Sequence, residues 1–355
     1  MHHLSIRIVA LMAALLLVLA ACGNSAVDEG TTASTEGTTA STEGADALGV
    51  ASCEGIDFSG DSATIAYMPP ATEFPYYVAI GKGIEDVAAE LGYEVFTLAP
   101  LSDNVEIQVG MLQDVLQRDV DAVILSTHDE QAAAPLVRQI VESGIPVTIV
   151  NSDIANFPTP INAVVGYIQR SGTQKLGEYA LERFDTNQTI GIIEGLPGYH
   201  STERVGGFLD AIEGVDGMEV VVSIPGGWNV EGGNAAAMDI LQAYPELTMI
   251  VAANDYMATG ANIAAKNLGR EDVIILGNDG DTQALEEINS GEWEATVMTT
   301  PFDMGQVAMR IANDCLNGKT IDFFTEIPTE IVDQSNAITY LQQPDRLYPL
   351  PSKEY

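Results

Sequence analysis

From residue 63 onward, short apolar runs rich in β-branched residues alternate with longer stretches in which apolar residues recur every three or four positions. In one such stretch Val105, Val109, Leu112 and Val115 fall on a single face, which is typical of an amphipathic helix. The short runs predict strands at 63–67, 94–98, 122–125, 146–150, 163–165, 189–193, 219–223, 249–252, 273–276 and 295–298. The longer stretches predict helices at 76–91, 104–118, 132–143, 171–184, 202–213, 232–242, 258–267, 282–289 and 303–316.

This alternation of strands and helices predicts an α/β protein. Near-continuous apolar strands separated by helices are typical of parallel sheets that are covered on both faces. Glycines directly follow several predicted helices, where a left-handed residue ends a helix at little conformational cost (Gly92, Gly144, Gly214 and Gly269). Because a single open sheet seldom exceeds about ten strands, the strand number favours two doubly wound αβ domains. A TIM barrel is the competing α/β arrangement.

The N-terminal segment has the pattern of a secretory signal, which we place at residues 1–21. Arg7 supplies a positive charge, and the apolar run at 8–21 is shorter than the roughly 20 residues of a membrane-spanning helix. The run ends in Leu19-Ala-Ala-Cys22, which resembles the bacterial lipobox. The resemblance implies that Cys22 becomes the first mature residue and carries lipid. The alternative is an ordinary secretory signal with an incidental cysteine.

A polar linker follows Cys22. The segment 31–37 repeats identically at 38–44, and no position of this seven-residue period is a large apolar residue, which excludes a coiled-coil seam. Small polar residues bury too little surface to offset the entropy of ordering them. We therefore expect residues 22–62 to form a lipidated, largely disordered tether between the membrane and the folded body.

The charge balance is strongly acidic, with 51 Asp and Glu against 14 Lys and Arg and a formal net charge of −37. Such a surface repels phosphate backbones, so we expect no nucleic-acid partner. It also repels anionic lipid, which leaves the lipid on Cys22 as the membrane contact. The acidic residues are scattered over predicted helix faces, and we interpret them as a solvated coat rather than as a ligand site.

The chain has three cysteines. If Cys22 carries lipid, Cys53 and Cys315 remain as one pair in an exported protein, where disulfides persist. We expect them to form a disulfide. There is no CxxC motif, and His128 and His200 are isolated in the sequence, so no metal site is predicted.

Polar residues follow the predicted strands where a ligand of an open α/β sheet binds. Short hydrogen-bonding side chains dominate there, and nucleophile–base pairs are missing. The sequence has no G-x-S-x-G elbow, no phosphate-binding G-x-x-x-x-G-K-[ST] loop and no G-x-G-x-x-G after a strand. These observations predict neither an enzyme nor a cofactor site.

An ordered series of segments runs through the folded part of the chain: Thr64-Ile-Ala-Tyr-Met68, Phe74-Pro-Tyr-Tyr77, Leu91-Gly-Tyr-Glu94, Asp121-Ala-Val-Ile-Leu-Ser126, Asn151-Ser-Asp153, Glu203-Arg-Val-Gly-Gly-Phe208, Ala253-Asn-Asp255, Gly277-Asn-Asp-Gly280 and Pro301 with Gly305. From residue 63 to about 339 the series resembles ribose-type (type I) periplasmic binding proteins. That family supplies solute to ABC importers. The resemblance implies two doubly wound αβ lobes, three crossover strands between them and one ligand in the cleft.

The resemblance also implies a division of the chain and a ligand site. Lobe one would comprise 63–165 plus 300–328, lobe two 166–299 plus 329–345, and 346–355 would be a C-terminal tail, with crossovers near 166, 299–300 and 327–329. The ligand would be a neutral sugar or polyol, held by Phe74, Tyr76, Tyr77, Ser126, Asn151, Thr202, Trp228, Asn254, Asp279 and Thr299. The chain would act as a monomer and hand its ligand to an ABC permease, outside the cytoplasmic membrane.

This sequence departs from the family pattern at specific places. Ribose binders of the family carry an aspartate–arginine pair where Asn151-Ser152 stands and a second arginine where Thr202 stands. A larger sugar, a polyol or a signalling furanose therefore stays open beside ribose, and we expect Arg204 to pack or pair within lobe two. Two other functions also stay open: a receptor for a membrane sensor or chemoreceptor, and a hydrolase that uses Asp129 and Asp279.

Overall fold

The computed structural model describes residues 50–56 and 58–355. The predicted signal segment, Cys22 and the repeats lie outside the described residues. Within the described part of the chain, no helix is both long enough and apolar enough to cross a membrane.

Strands and helices alternate along the described chain. The strands are β1 (Thr64–Met68), β2 (Glu94–Thr97), β3 (Ala122–Leu125), β4 (Val147–Val150), β5 (Ala163–Gly166), β6 (Gln188–Glu194), β7 (Met218–Pro225), β8 (Met249–Ala252), β9 (Ile274–Asp279), β10 (Ala295–Met298), β11 (Phe324–Glu326) and β12 (Glu330–Asp333). The helices are α1 (Pro75–Leu91), α2 (Val105–Val115), α3 (Glu130–Glu142), α4 (Gln169–Arg183), α5 (Tyr199–Ile212), α6 (Val230–Ala243), α7 (Asp255–Leu268), α8 (Thr282–Ser290), α9 (Pro301–Leu316) and α10 (Ala337–Leu341).

Capping side chains start several helices, and a left-handed glycine ends α1. Asn104 and Asp129 accept hydrogen bonds from backbone amides in the first turns of α2 and α3, at 3.0 and 2.9 Å. These bonds satisfy amide groups that a helix start leaves without partners. At the other end, Gly92 closes α1 with a φ of 74°, a conformation that glycine adopts without steric strain.

The strands form two six-stranded sheets, each covered by helices on both faces. The first has the order β11-β5-β4-β3-β1-β2, and the second has the order β12-β10-β9-β8-β6-β7. All described pairings are parallel except that of β10 with β12. In the first lobe α1 packs with α9 and α2 with α3; in the second, α4 packs with α5 and α6 with α7. Apolar clusters fill the space between these layers.

The chain passes between the sheets three times: after β5, between β10 and α9, and between β11 and β12. The predicted fold class, two αβ lobes joined by three crossovers, is confirmed, and the TIM barrel is excluded. Ten strands were expected, and the structure adds β11 and β12. These two strands lie at the edges of their sheets and include exposed acidic residues, so they lack the continuous apolar run that marks the buried strands.

Both ends of the described chain lie against the lobes. Cys53 and Cys315, the expected pair, are joined by a disulfide that fixes the segment before β1 to the end of α9. The described residues 50–56 and 58–62 contain no helix or strand, although the Ala51 amide bonds to the carbonyl of Ile161 at 2.9 Å. In the tail, Arg346 forms an ion pair with Asp303 at the start of α9.

Candidate ligand-binding cleft

A cleft lies between the lobes at the carboxyl ends of the parallel strands, where open α/β sheets bind their ligands. The empty space within it, counted with the part open to solvent, is about 360 Å³. The first lobe lines it with Phe74, Tyr76, Tyr77, His128 and Asn151, and the second with His200, Arg204, Trp228, Asn254, Tyr256 and Asp279.

On the first lobe, two phenols and an amide form a buried hydrogen-bonded cluster. Tyr76 and Tyr77 lie in the first turn of α1, and Asn151 directly follows β4. The Tyr76 hydroxyl lies 3.0 Å from Asn151 Oδ1, and Asn151 Nδ2 donates to the Tyr77 hydroxyl at 3.2 Å. Burial raises the pKa of Tyr77 to about 12, so the phenol stays neutral. The cluster offers hydroxyl and amide groups to a ligand without carrying charge.

On the second lobe, the central interaction is a buried ion pair between Arg204 and Asp279. Arg204 Nη1 donates to Asp279 Oδ1 at 2.9 Å and to the carbonyl of Ala253 at 3.1 Å. Burial raises the pKa of Asp279 to about 6, and the facing guanidinium opposes that rise. Burial works to lower the pKa of Arg204, but the Asp279 carboxylate together with the nearby tyrosine phenols raises that pKa above its usual value. The two charges neutralise each other, so the pair suits a neutral ligand.

Three cleft residues adopt backbone conformations that are unfavourable for residues with a side chain. The φ angle is 61° at Asn151, 67° at Trp228 and 139° at Asp279. Conformations of this kind cost on the order of 1–3 kcal/mol each and cluster at binding sites. Asparagine tolerates a positive φ better than most residues do, whereas a tryptophan there is a true outlier. The fold therefore holds these three side chains in orientations that the local sequence does not favour.

Trp228 is held from two sides. Asn254 Nδ2 donates to the Trp228 carbonyl at 3.3 Å, while Asn254 Oδ1 caps α7 by accepting from the Met257 amide at 3.0 Å. The indole lies against the backbone of Gly195, where any Cβ would overlap the ring. Asn254 thus serves as a helix cap and positions the aromatic wall at the same time.

His128 brings the first lobe against the second. Its Nδ1 lies 2.7 Å from Asp103 Oδ2 and its Nε2 lies 3.2 Å from the Tyr77 hydroxyl. Across the cleft its ring centroid is 5.8 Å from that of His200 and 6.4 Å from that of Trp228. Burial lowers the pKa of His200, so that ring is neutral. The rings are in contact, and the lobes are closed.

Asp153 ties the lobes together beside the aromatic contact. It follows β4 on the first lobe and accepts from the Tyr199 hydroxyl at 3.1 Å and from the backbone amide of Gln169 at 3.2 Å. Gln169 Oε1 in turn accepts from Arg204 Nε at 3.1 Å. A continuous set of hydrogen bonds therefore joins the first lobe to the ion pair of the second.

The comparisons with known proteins agree with this geometry. A family model described as a periplasmic binding protein domain matches residues 65–320. The chain belongs to the periplasmic binding protein family. A D-ribose/D-allose-binding protein of Pseudomonas aeruginosa is 30% identical over 237 residues, 63% of this chain and 73% of the relative. A ribose import binding protein of Bacillus subtilis is 26% identical over 261 residues, 73% of this chain and 84% of the relative.

Solved structures of binding proteins share the fold. An ABC transporter solute binding protein from Bacillus halodurans, with bound myo-inositol, superposes with a TM-score of 0.72 at 25% identity. The match covers 80% of this chain and 99% of that one. The two-lobed architecture and the interlobe cleft of this chain are therefore those of the periplasmic binding protein fold.

The structure brings seven of the ten predicted ligand residues together in the cleft of this periplasmic binding protein: Phe74, Tyr76, Tyr77, Asn151, Trp228, Asn254 and Asp279. Ser126 and Thr299 are buried directly behind the phenols. Ser126 Oγ lies 3.5 Å from the Tyr77 hydroxyl, and Thr299 Oγ1 lies 2.9 Å from that of Tyr76. These two side chains support the first-lobe cluster instead of lining the cleft.

Thr202 requires a correction. The resemblance places Thr202 in the ligand site, but it lies on the outer face of α5, is exposed and donates to the carbonyl of Gly198 at 2.9 Å. The helix expected to begin at Thr202 begins at Tyr199. The inward positions of α5 are those of His200 and Arg204, four residues apart on one helix face. Thr202 therefore cannot contribute to the cleft in this arrangement.

Four cleft residues were not in the predicted set: His128, His200, Arg204 and Tyr256. The i, i+4 spacing of His200 and Arg204 was a usable signal once the start of α5 was known. Tyr256 lies in the first turn of α7, two residues after Asn254. For His128 the sequence held no signal, because its partners come from distant segments. The described residues contain no cluster of three or more His, Cys, Asp or Glu side chains that could hold a metal ion.

The ion pair predicts a pH-dependent stability loss in Arg204→Met. Removing one partner of a buried pair costs about 3–5 kcal/mol, because the other charge stays buried without compensation. In the variant, the pKa of Asp279 rises further above its unfolded value of about 3.9, so the folded state takes up a proton as pH falls. Urea unfolding should therefore show that Arg204→Met lowers the free energy of unfolding more at pH 8 than at pH 5.

The matched control is Arg170→Met, which removes an exposed pair with Asp210. Because solvent screens that pair, the control should lose about 0–1 kcal/mol at either pH. Two results would contradict this role of the ion pair. In the first, the two substitutions lower the free energy of unfolding equally. In the second, the decrease caused by Arg204→Met grows as the pH falls.

Proposed function

We propose that this chain is an extracytoplasmic solute-binding protein that captures one neutral sugar or polyol in the interlobe cleft and delivers it to the permease of an ABC importer. The observation that carries the proposal is the neutralised Arg204–Asp279 pair inside an aromatic-lined cleft between two closed lobes. Names of the relatives support the same class of ligand. One chain supplies both walls of the cleft, which fits action as a monomer.

The lining suits a polyhydroxylated ring. Aromatic faces such as those of Phe74 and Trp228 cover the C–H surface of a sugar, while amides, phenols and a carboxylate bond its hydroxyls. A ligand of net charge would meet no free counter-charge in the Arg204–Asp279 pair, because each of those groups already satisfies the other. Neutral ligands are therefore favoured.

Arg204 also bears on which sugar is bound. The sequence lacks the family's arginine at Thr202, but α5 brings Arg204 into the cleft two residues later. A guanidinium is thus present despite the departure from the ribose pattern. D-ribose, D-allose and myo-inositol, which the names and titles of the relatives and structural neighbours mention, form the first panel to test.

The alternative of a hydrolase gains no support from the two aspartates that it would use. Asp129 Oδ1 caps α3 by accepting from the Ala132 amide at 2.9 Å, and Asp279 is paired with Arg204. Both carboxylates are engaged in bonds that hold the structure. The periplasmic binding protein family is one of binding proteins, and nothing in the described cleft favours a second function.

Ligand binding should be visible in the fluorescence of one tryptophan. The sequence has two tryptophans: Trp228 lines the cleft, and Trp293 lies outside it, with its indole N–H 2.7 Å from Glu287. We expect a binding sugar to change the emission of Trp293→Phe, which retains Trp228. Trp228→Phe should show no change. A response from Trp293 alone would place the ligand elsewhere.

Calorimetry on the same sugar measures the contribution of Asp279. A hydrogen bond to a charged group is worth about 1.5–3 kcal/mol, so Asp279→Asn should raise Kd by roughly one to two powers of ten. Asp272→Asn, at an exposed carboxylate paired with Arg270, serves as the control and should retain wild-type affinity. Wild-type affinity in both variants would contradict the proposed site.

We further propose that the protein is held at the outer face of the cytoplasmic membrane by lipid on Cys22. The lipobox-like Leu19-Ala-Ala-Cys22 and the polar repeats after it support this proposal. Because a single acyl chain gives only marginal binding, stable anchoring needs more than one. The tether would leave the lobes free to open and close near the permease.

Cys22→Ala tests the anchor directly. The variant should move from the membrane fraction to the soluble extracytoplasmic fraction, because the acidic surface offers no other attraction to lipid. Fractionation followed by mass spectrometry of the N-terminus measures both effects. Wild-type protein that is soluble and carries an unmodified N-terminus would contradict the anchor.

A further inference from the structure

A second open space continues outward from the cleft. It is a groove of about 580 Å³, open to solvent, between Asp103 and Asp129 of the first lobe and Leu196 and Tyr199 of the second. Three side chains line both the cleft and the groove: His128, His200 and Trp228. These rings therefore form the wall between the two spaces.

The rings of the wall are in contact and nearly buried. The ring of His128 is in edge contact with His200 and tilted contact with Trp228, at centroid separations of 5.8 and 6.4 Å. Only 14% of the His128 side chain is exposed, and His200 and Trp228 are 6% and 7% exposed. A ligand in the cleft could not extend into the groove without displacing one of these rings.

The His128 ring is also fixed in orientation. Both of its nitrogens are engaged, Nδ1 with Asp103 and Nε2 with the Tyr77 hydroxyl. Its neighbours are fixed as well, because His200 Nδ1 lies 3.0 Å from Gln169 Oε1 and Trp228 rests on Gly195. His128 is the only one of the three rings that comes from the first lobe. It therefore enters the wall when the lobes close.

We propose that His128 is a size-selecting residue, which restricts the cleft to single-ring neutral sugars and rejects sugars that carry a substituent on the oxygen facing the groove. The inference rests on the proposed function, since it specifies which sugars that site accepts. Without the imidazole, the cleft and the groove would join at the position of that ring.

The first test measures selectivity. The sugar that binds best among D-ribose, D-allose and myo-inositol is chosen first. Its derivatives with a single O-methyl group, one for each hydroxyl position, are then titrated by calorimetry into wild type, His128→Ala and His128→Phe. One excess methyl group in a packed pocket lowers binding by about 10–200-fold. We expect wild type and His128→Phe to reject at least one derivative that His128→Ala binds. For His128→Ala, the Kd of that derivative should be close to the Kd of the parent sugar.

His128→Phe is the matched control, because it keeps a planar ring of similar size and loses only the bonds to Asp103 and Tyr77. Loss of discrimination in both variants would assign selectivity to those bonds instead of to the ring. Retention of the wild-type selectivity by His128→Ala would overturn the proposal.

The second test needs no ligand. In a Trp293→Phe background the remaining fluorescence comes from Trp228, and acrylamide quenching reports access to that ring. We expect quenching to rise severalfold with His128→Ala and to stay near the background level with His128→Phe. Unchanged quenching in His128→Ala would show that His128 is not the barrier. If quenching rises in His128→Ala while no sugar binds to wild type, His128 is supported as the barrier and the proposed sugar-binding function fails.

Discussion

The Arg204–Asp279 ion pair is the interaction on which the cleft depends. Among the described residues, it is the only ion pair in which both side chains are less than a tenth exposed. Removing two charges from water costs desolvation free energy. The attraction between the charges offsets that cost only when their remaining donors and acceptors are also hydrogen-bonded. Here Arg204 also bonds to Ala253 and Gln169, while Asn278 donates to Asp279 at 3.0 Å.

These bonds explain why the ion pair affects more than one lobe. Gln169 stands at the start of α4, directly after the first crossover, and it contacts both Arg204 and Asp153 of the first lobe. Asp153 of the first lobe accepts hydrogen bonds from both Gln169 and Tyr199 of the second lobe in this closed arrangement. Closure and the arrangement of the cleft are thus coupled through a continuous set of hydrogen bonds, a geometry that suits hinge motion around a ligand.

Sequence periodicity was sufficient for the fold, because buried parallel strands and amphipathic helices each leave a regular apolar pattern. It missed β11 and β12, which are edge strands with exposed acidic residues and therefore show no continuous apolar run. At the site, strand-end residues such as Asn151 and Asp279 were predictable, because parallel strands bring their carboxyl ends to one edge. Thr202 was wrongly assigned because the resemblance places it where ribose binders carry an arginine, whereas in this chain α5 turns His200 and Arg204 toward the cleft.

The remaining site features depend on tertiary contacts. The positive φ of Trp228 follows from its packing on Gly195 and its bond to Asn254, which no local pattern records. His128 becomes part of the cleft only because the second lobe brings His200 and Trp228 against it. Residues of this kind are separated by many positions in the chain, and only the closed arrangement of the lobes brings them together.

The central claim is that mutual neutralisation of Arg204 and Asp279 makes the cleft specific for uncharged ligands. Calorimetric competition between the sugar that binds and two derivatives of it, one with a carboxylate and one with an ammonium group, tests this claim most directly. Both charged derivatives should bind at least about tenfold more weakly than the neutral parent, because each introduces a buried charge without a partner. Tighter binding of either charged derivative would show that one member of the pair is free to act as its counter-charge, and would contradict the account.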